Sequence, residues 1–166
     1  MTRPAPEVPG RGRIAAALLA LAVSLTATSA KGAEPASFLA DFPRASGMLE
    51  TGQACHILDL YLAASAAQRA QGLMHIRELG EYEGMLFTTA QPQRAAMWMK
   101  NTLIPLDMLF IAADGRIAGI AAETTPLSEA TISSPALVTD VLELNGGFAA
   151  RHGVGVGDRF ALIPPR

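Results

Sequence analysis

The sequence predicts a mainly β protein: a compact single domain, barrel-like or sandwich-like, with two short helices. Three observations predict it. Short apolar segments recur between Gly, Pro and Asp-Gly turn signals. Strands do not alternate with long helical patterns, which argues against a doubly wound sheet. The 166 residues are 50% apolar and 17% charged, enough for one real core and unlike a disordered chain.

Residues 1–30 read as a secretory signal peptide. Arg3, Arg11 and Arg13 precede the apolar run Ile14–Ala27, and small residues follow it up to a cut expected near Ala30 or Ala33. The run is short for a transmembrane helix. The expectation is a periplasmic or secreted protein with no stable membrane insertion after cleavage; an uncleaved membrane anchor is the alternative. Beyond residue 30 the chain holds 10 basic and 14 acidic residues, net −4. Such a domain suits neither nucleic acid nor an anionic membrane surface.

Residues 31–53, with Pro35, Pro43 and Gly47, read as a tail or loose lead-in, and 54–166 as the β domain. "CHILDLYLA" (Cys55–Ala63) alternates as a strand, with His56, Leu58, Leu60 and Leu62 on one face. Cys55 is the single cysteine, so no internal disulfide forms; it reads as a buried small hydrophobe. Ser65 with Gln68 is a capping-box pattern, and Gly72 a stop, giving a helix over Ala66–Gln71. Gly84–Phe87 reads as a strand. "AAMWMKN" fits a strand buried on both faces, with Trp98 and Lys100 on one side. Pro105 makes "TLIP" a connection. Leu106–Ala112 is a strong strand, Asp114–Gly115 a hairpin turn, and "RIAGIAA" the return. Glu123–Pro135 is a polar loop or flap. Leu137–Leu144 is a further strand. "NGGFAARHG" reads as a helix capped by Asn145 and stopped by Gly153, before a Gly157–Asp158 turn and a last strand.

Familiar catalytic and nucleotide motifs (GxSxG, P-loop, HExxH, CxxC) are absent. His56, His75 and His152 lack metal-ligand spacing, and Cys55 and His56 point to opposite faces, so neither a metal nor another cofactor is expected. What remains are polar residues in apolar frames. "MWMKNTLIPLDMLF" (Met97–Phe110) carries Lys100, Asn101, Thr102 and Asp107, and "VLELNGG" carries Glu143. An unpaired charge in an apolar interior costs several kcal/mol. Lys100 with Asp107 or Glu143 either forms a site or makes a structural ion pair locking the turn at Pro105. In the site reading they converge at a barrel mouth with Trp98 as an apolar wall. An aromatic platform beside polar groups suits a sugar or another small polar ligand.

The blocks Gly72-Leu73-Met74, Gly84–Phe87, Trp98–Thr102, Ile104–Asp107, Asp114-Gly115, Val141–Gly147 and Gly157-Asp158 stand in one order. Together they resemble the DUF192 family of small, often exported proteins without an assigned activity, over about residues 54–163. The resemblance implies a mostly β, barrel-like domain. It also implies a shared site of Trp98, Lys100, Asn101, Thr102, Asp107 and Glu143, with Arg69 before the Gly-Leu-Met block. His75 and Ile76 depart from the aromatic and Arg common after that block, which puts a contact by that Arg in doubt unless Arg77 substitutes.

Three functions compete. The first is a non-enzymatic binder of a small polar ligand, such as a carbohydrate or envelope fragment. The second is a hydrolase-type enzyme using Asp107 or Glu143 as acid or base. The third is an envelope protein-interaction domain that binds a protein partner through the flap.

Overall fold

The structure, a computed structural model, describes residues 1–2 and 37–165. The chain divides into two units, 1–31 and 32–166, and the fold is that of the second. The expected signal segment therefore lies outside the described residues, apart from Met1 and Thr2. No helix among the described residues is long and apolar enough to cross a membrane.

The fold is mainly β, as the composition and turn signals predict. A 3-10 turn at Ser37–Asp41 leads into β1 (Arg44–Glu50) and β2 (Cys55–Ala63). α1 (Ala66–Gln71) carries the chain to β3 (Glu83–Gln93) and the short β4 (Ala96–Met97). β5 (Leu106–Ile111) and β6 (Ile117–Ala121) form a hairpin. β7 (Ile132–Ser133), β8 (Val138–Asn145), α2 (Phe148–His152) and β9 (Arg159–Leu162) complete it. Seven strands make one curled half-barrel sheet in the order β6-β5-β8-β3-β2-β1-β9, and β4 pairs with β7. β2 and β3 are parallel, joined by the crossover through α1; the other strand pairs of the sheet are antiparallel. The two edges meet where Arg116 bridges Arg159.

The centre of the sheet, above all β5 and β8, is buried on both faces, and the alternation along the strands sorts the core in two. Met85, Phe87, Leu106, Met108, Phe110 and Val141 pack on one face with Leu73, Ile76 and Met99 from the connections. Leu86, Leu109, Ile111, Leu142 and Leu144 pack on the other with Phe148 of α2 and Phe160 of β9. Burying each of these side chains stabilises by roughly 1.5–3 kcal/mol, so neither face is free to turn to water.

Four expectations need correction. Residues 44–50 are not a lead-in: β1 pairs along its length with β2 and along part of it with β9. The segment "RASGMLE" hides its strand character because Gly47 sits in its middle. A Cβ there would lie 2.5 Å from the Phe160 ring, so the position needs a residue without one. Cys55 is exposed, because it is the first residue of β2, at the sheet's end. "AAMWMKN" is a strand only at Ala96–Met97; a turn follows, with Thr102 N–H donating to Met99 C=O at 3.0 Å and Asn101 at φ 55°. Asn145 does not cap α2. It ends β8, and its side-chain amide donates to the Leu79 and Gly80 carbonyls at 3.0 and 2.8 Å. The N-cap is Gly147, at φ 78°.

Candidate functional site

Asp107 answers for that missing cap. It is fully buried on β5. Its Oδ2 accepts from Ala149 N–H at 2.8 Å, the bond that a side chain at the N-cap would otherwise make. Its Oδ1 accepts from Gly147 N–H at 3.0 Å and Glu123 N–H at 2.7 Å. Three backbone donors hold this carboxylate, and the carboxylate in turn fixes the start of α2 and of the 123–135 segment. No ion pair joins it to Lys100.

Strand parity explains the separation. Asp107 stands opposite Leu144 across the β5–β8 ladder, and Glu143 stands opposite Met108. Neighbouring positions on a strand point to opposite faces. Asp107 therefore faces α2, while Glu143 faces the side of α1 and the 97–102 turn.

Glu143 is the unusual group. It is 96% buried, between Met85 on β3 and Met108 on β5. No hydrogen bond or ion pair reaches its carboxyl within the described residues. Burial alone pushes its pKa up to about 8, so it keeps its proton at neutral pH.

Glu143 lines a narrow cleft with Arg69, Trp98, Lys100 and Thr102. Five of the seven sequence-predicted residues thus surround one space. The capping box that forms α1 positions Arg69: Ser65 Oγ accepts from Gln68 N–H at 3.1 Å, and Gln68 Oε1 accepts from Ser65 N–H at 2.9 Å. The Arg69 guanidinium donates to Ala64 C=O at 2.6 Å. Trp98 is half exposed, and the Lys100 ammonium lies 5.3 Å from its ring centre. The nearest carboxylate to Lys100 is Glu129, at 3.9 Å and well exposed. Thr102 is buried beneath, its hydroxyl 3.4 Å from Lys100 C=O. Asn101 is not on the cleft. It is exposed, its amide 3.8 Å from Met74 Sδ.

The cleft volume is about 30 Å³. That holds a water or two. Arg69, Phe87, Met97 and Trp98 are shared with an adjoining cleft of about 280 Å³, which adds Thr89, Arg94 and Asp140. These last three residues were not found by sequence reasoning. Arg94 lies in "QPQRAAM", where no spacing or periodicity marks it. The 123–135 segment is bonded to the chain that carries the cleft residues. Ser134 N–H donates to Ala95 C=O at 2.9 Å, Met99 N–H to Ser128 C=O at 2.9 Å, and Leu127 N–H to Thr102 C=O at 3.0 Å. It is tied down along its length and is no loose flap.

A second polar cluster lies at the other face. His152 Nε2 is 2.9 Å from Glu81 Oε1, and the rings of His56 and His152 are 4.8 Å apart. Sequence spacing gave no sign of this pairing.

The chain resembles two solved structures. A protein of Sinorhizobium meliloti 1021, described as a "putative transcription regulator", is 44% identical with a TM-score of 0.71, over 73% of this chain and 95% of that one. A protein of unknown function from Novosphingobium aromaticivorans DSM 12444 is 37% identical with a TM-score of 0.72, over 82% of this chain and 98% of that one. Comparison with curated proteins finds no significant match. The model of the DUF192 family, described as an uncharacterized ACR, matches residues 47–162, and the chain belongs to that family.

Proposed function

We propose that this protein is an exported, non-enzymatic binding domain for a small polar ligand, held between Trp98, Lys100, Arg69, Thr102 and Glu143. One observation carries the reading: Glu143 is almost fully buried, takes no hydrogen bond from the described residues, and lines the narrow cleft. Its carboxyl reaches the cleft surface, where a ligand can accept a hydrogen bond from it. Trp98 offers a flat apolar wall, and Lys100, Arg69 and the Thr102 hydroxyl supply polar contacts of the kind that orient a small ligand. The adjoining cleft of about 280 Å³ suits a ligand of one small ring, such as a monosaccharide or an envelope fragment of that size. Export rests on the basic start and apolar run of residues 1–30.

A hydrolase is the second reading, and the proton retained by Glu143 favours it, because a general acid must be protonated at the working pH. Two-carboxylate chemistry finds no second group in Asp107, which lies on the opposite face and is held by three N–H donors. Binding therefore leads. The regulator description of the Sinorhizobium relative is not carried over, since net −4 beyond residue 30 opposes nucleic-acid binding.

The test is a thermal-shift screen of the protein against sugars, cell-wall fragments and amino acids, repeated on Lys100→Ala. A compound that raises the melting temperature of the wild type but not of the variant supports the site. Equal shifts in both proteins for every active compound place binding elsewhere.

A further inference from the structure

The proposed binding site has a charge bias that narrows its ligand. The two joined clefts are lined by three cations, Arg69, Arg94 and Lys100. Against them on the lining stands Asp140, with Glu129 beside Lys100, while burial raises the pKa of Glu143. The cations outnumber these two acids, in a chain whose overall charge is −2.

Among the described residues neither Arg69 nor Arg94 makes an ion pair, and Lys100 makes only a long one. Arg69 donates to the Ala64 carbonyl, and Arg94 to the Ser134 and Pro135 carbonyls at 3.2 and 3.1 Å. Backbone carbonyls hold these guanidiniums in place and leave their charge intact. Lys100 has only the exposed Glu129, 3.9 Å away, and an exposed pair at that distance contributes little. Asp140 is occupied by hydroxyls: its Oδ1 accepts from Thr88 and its Oδ2 from Thr139, both at 2.7 Å.

We infer that the ligand of this site carries a carboxylate, and that the site takes a small sugar acid or hydroxy acid, with the Glu143 O–H donating to the ligand's carboxylate and Lys100 and Arg69 beside it. The inference rests on the binding reading above and deepens it. A carboxyl-to-carboxylate hydrogen bond is short and charge-assisted, and so among the stronger kinds. The space at Glu143, about 30 Å³, is small, which favours the smaller carboxylate over a phosphate. The hydroxyl-bearing remainder then lies on Trp98 in the wider cleft.

The groups facing Glu143 can be named from every side. Met85 and Met108 flank it on β3 and β5, Met74 and Thr102 come from the connections, and the charged groups are Arg69 on α1 and Lys100 in the turn. Arg and Lys stay charged through neutral and mildly alkaline pH, so Glu143 is the group whose charge changes there. Once ionised, it repels a bound carboxylate.

The experiment is calorimetric titration of the full chain with glucuronate and lactate, with glucose as the neutral counterpart and glucose 6-phosphate as the other anion. Glu143→Gln and Lys100→Gln are titrated in parallel. Glucuronate or lactate is expected to bind at about pH 6 at least about tenfold more tightly than glucose, and to weaken by about tenfold or more at about pH 9. Glu143→Gln keeps a donor that does not ionise, so its affinity is expected to lose that pH step. Lys100→Gln weakens the acids and leaves glucose unchanged. Glucose binding as tightly as glucuronate overturns the carboxylate inference and leaves the binding reading standing. Tighter glucose 6-phosphate binding overturns it in favour of a phosphate ligand. No binding by any of the four compounds also overturns it, and the broader thermal-shift screen then decides the binding reading separately.

Discussion

Asp107 on β5 caps a helix that begins 41 residues later in the chain, its Oδ2 accepting from Ala149 N–H at 2.8 Å. Gly147 at the N-cap has no side chain to do so, and its own N–H also goes to Asp107. Removing the charge leaves buried donors short of acceptors. Asp107→Asn is expected to lower stability by about 3–5 kcal/mol, since hydrogen bonds to a charged group contribute about 1.5–3 kcal/mol each. Urea unfolding measures it, as a lower midpoint with an unchanged slope. A loss under about 1 kcal/mol contradicts the capping role.

Gly84 lets β3 and β8 approach closely, its missing side chain on the Leu144 face, away from the cleft. A Cβ there would lie 2.6 Å from the Glu143 carbonyl oxygen and 2.7 Å from Leu144 Cδ2. The carbonyl is backbone and cannot swing aside. Gly84→Ala is expected to cost about 1–3 kcal/mol, as overpacking in a tight core does. Gly52→Ala is the control, because nothing lies within 4 Å of a Cβ at that position. It is expected to be neutral or to stabilise by up to about 1 kcal/mol, through the unfolded chain. Melting curves of the two variants compare them directly.

How much of this was legible in the sequence depends on how far each signal reaches. The α1 helix was legible because its capping box is local: Ser65 and Gln68 satisfy one another within four residues. The β5–β6 hairpin was legible for the same reason, through Asp114–Gly115. The cap of α2 was not, because its partner comes from another strand and Asn145 offered a plausible local substitute. Nor was β1 legible, since its pairing with β9 is set by the Phe160 ring over Gly47, a contact between distant segments. For the site, the polar residues in apolar frames divide: Lys100, Thr102 and Glu143 line the cleft, and Asn101 does not. Grouping Asp107 with them overlooked parity across the ladder. Once β5 and β8 pair in register, Asp107 and Glu143 lie on opposite faces, but that register is not printed in either segment alone.

Lys100 is the residue that separates a binding role from a structural one. Its ammonium is exposed, with Trp98 at 5.3 Å and Glu129 at 3.9 Å. Exposed contacts of both kinds contribute up to about 1 kcal/mol each. Lys100→Ala is therefore expected to change stability by less than about 1 kcal/mol, with the melting temperature nearly unmoved. A large loss would mean that the turn before Pro105 depends on it, the structural reading that its separation from Asp107 opposes.

Glu143 should make stability fall as pH rises. In the unfolded chain its carboxyl titrates near its ordinary value of 4.5; in the folded protein burial raises this to about 8. Below the lower value both states hold the proton and there is no difference. Between the two values the folded state binds one more proton than the unfolded state, so each pH unit removes up to about 1.4 kcal/mol of stability. Above the upper value the loss is complete, on the order of 5 kcal/mol at most. Glu81 acts in the opposite sense. Hydrogen bonds from His152 and then Arg151 lower its pKa, so its contribution is present above the unfolded value and is lost in acid. That acid limb is common to wild type and Glu143→Gln and cancels between them. The variant keeps the shape of the side chain and cannot ionise. Its stability relative to wild type is expected to rise steadily from about pH 5 to about pH 8 and then level off. Urea midpoints of both proteins across that range measure the difference. Parallel profiles would show that Glu143 ionises in the folded state as freely as in water, and would remove the observation on which the binding site rests.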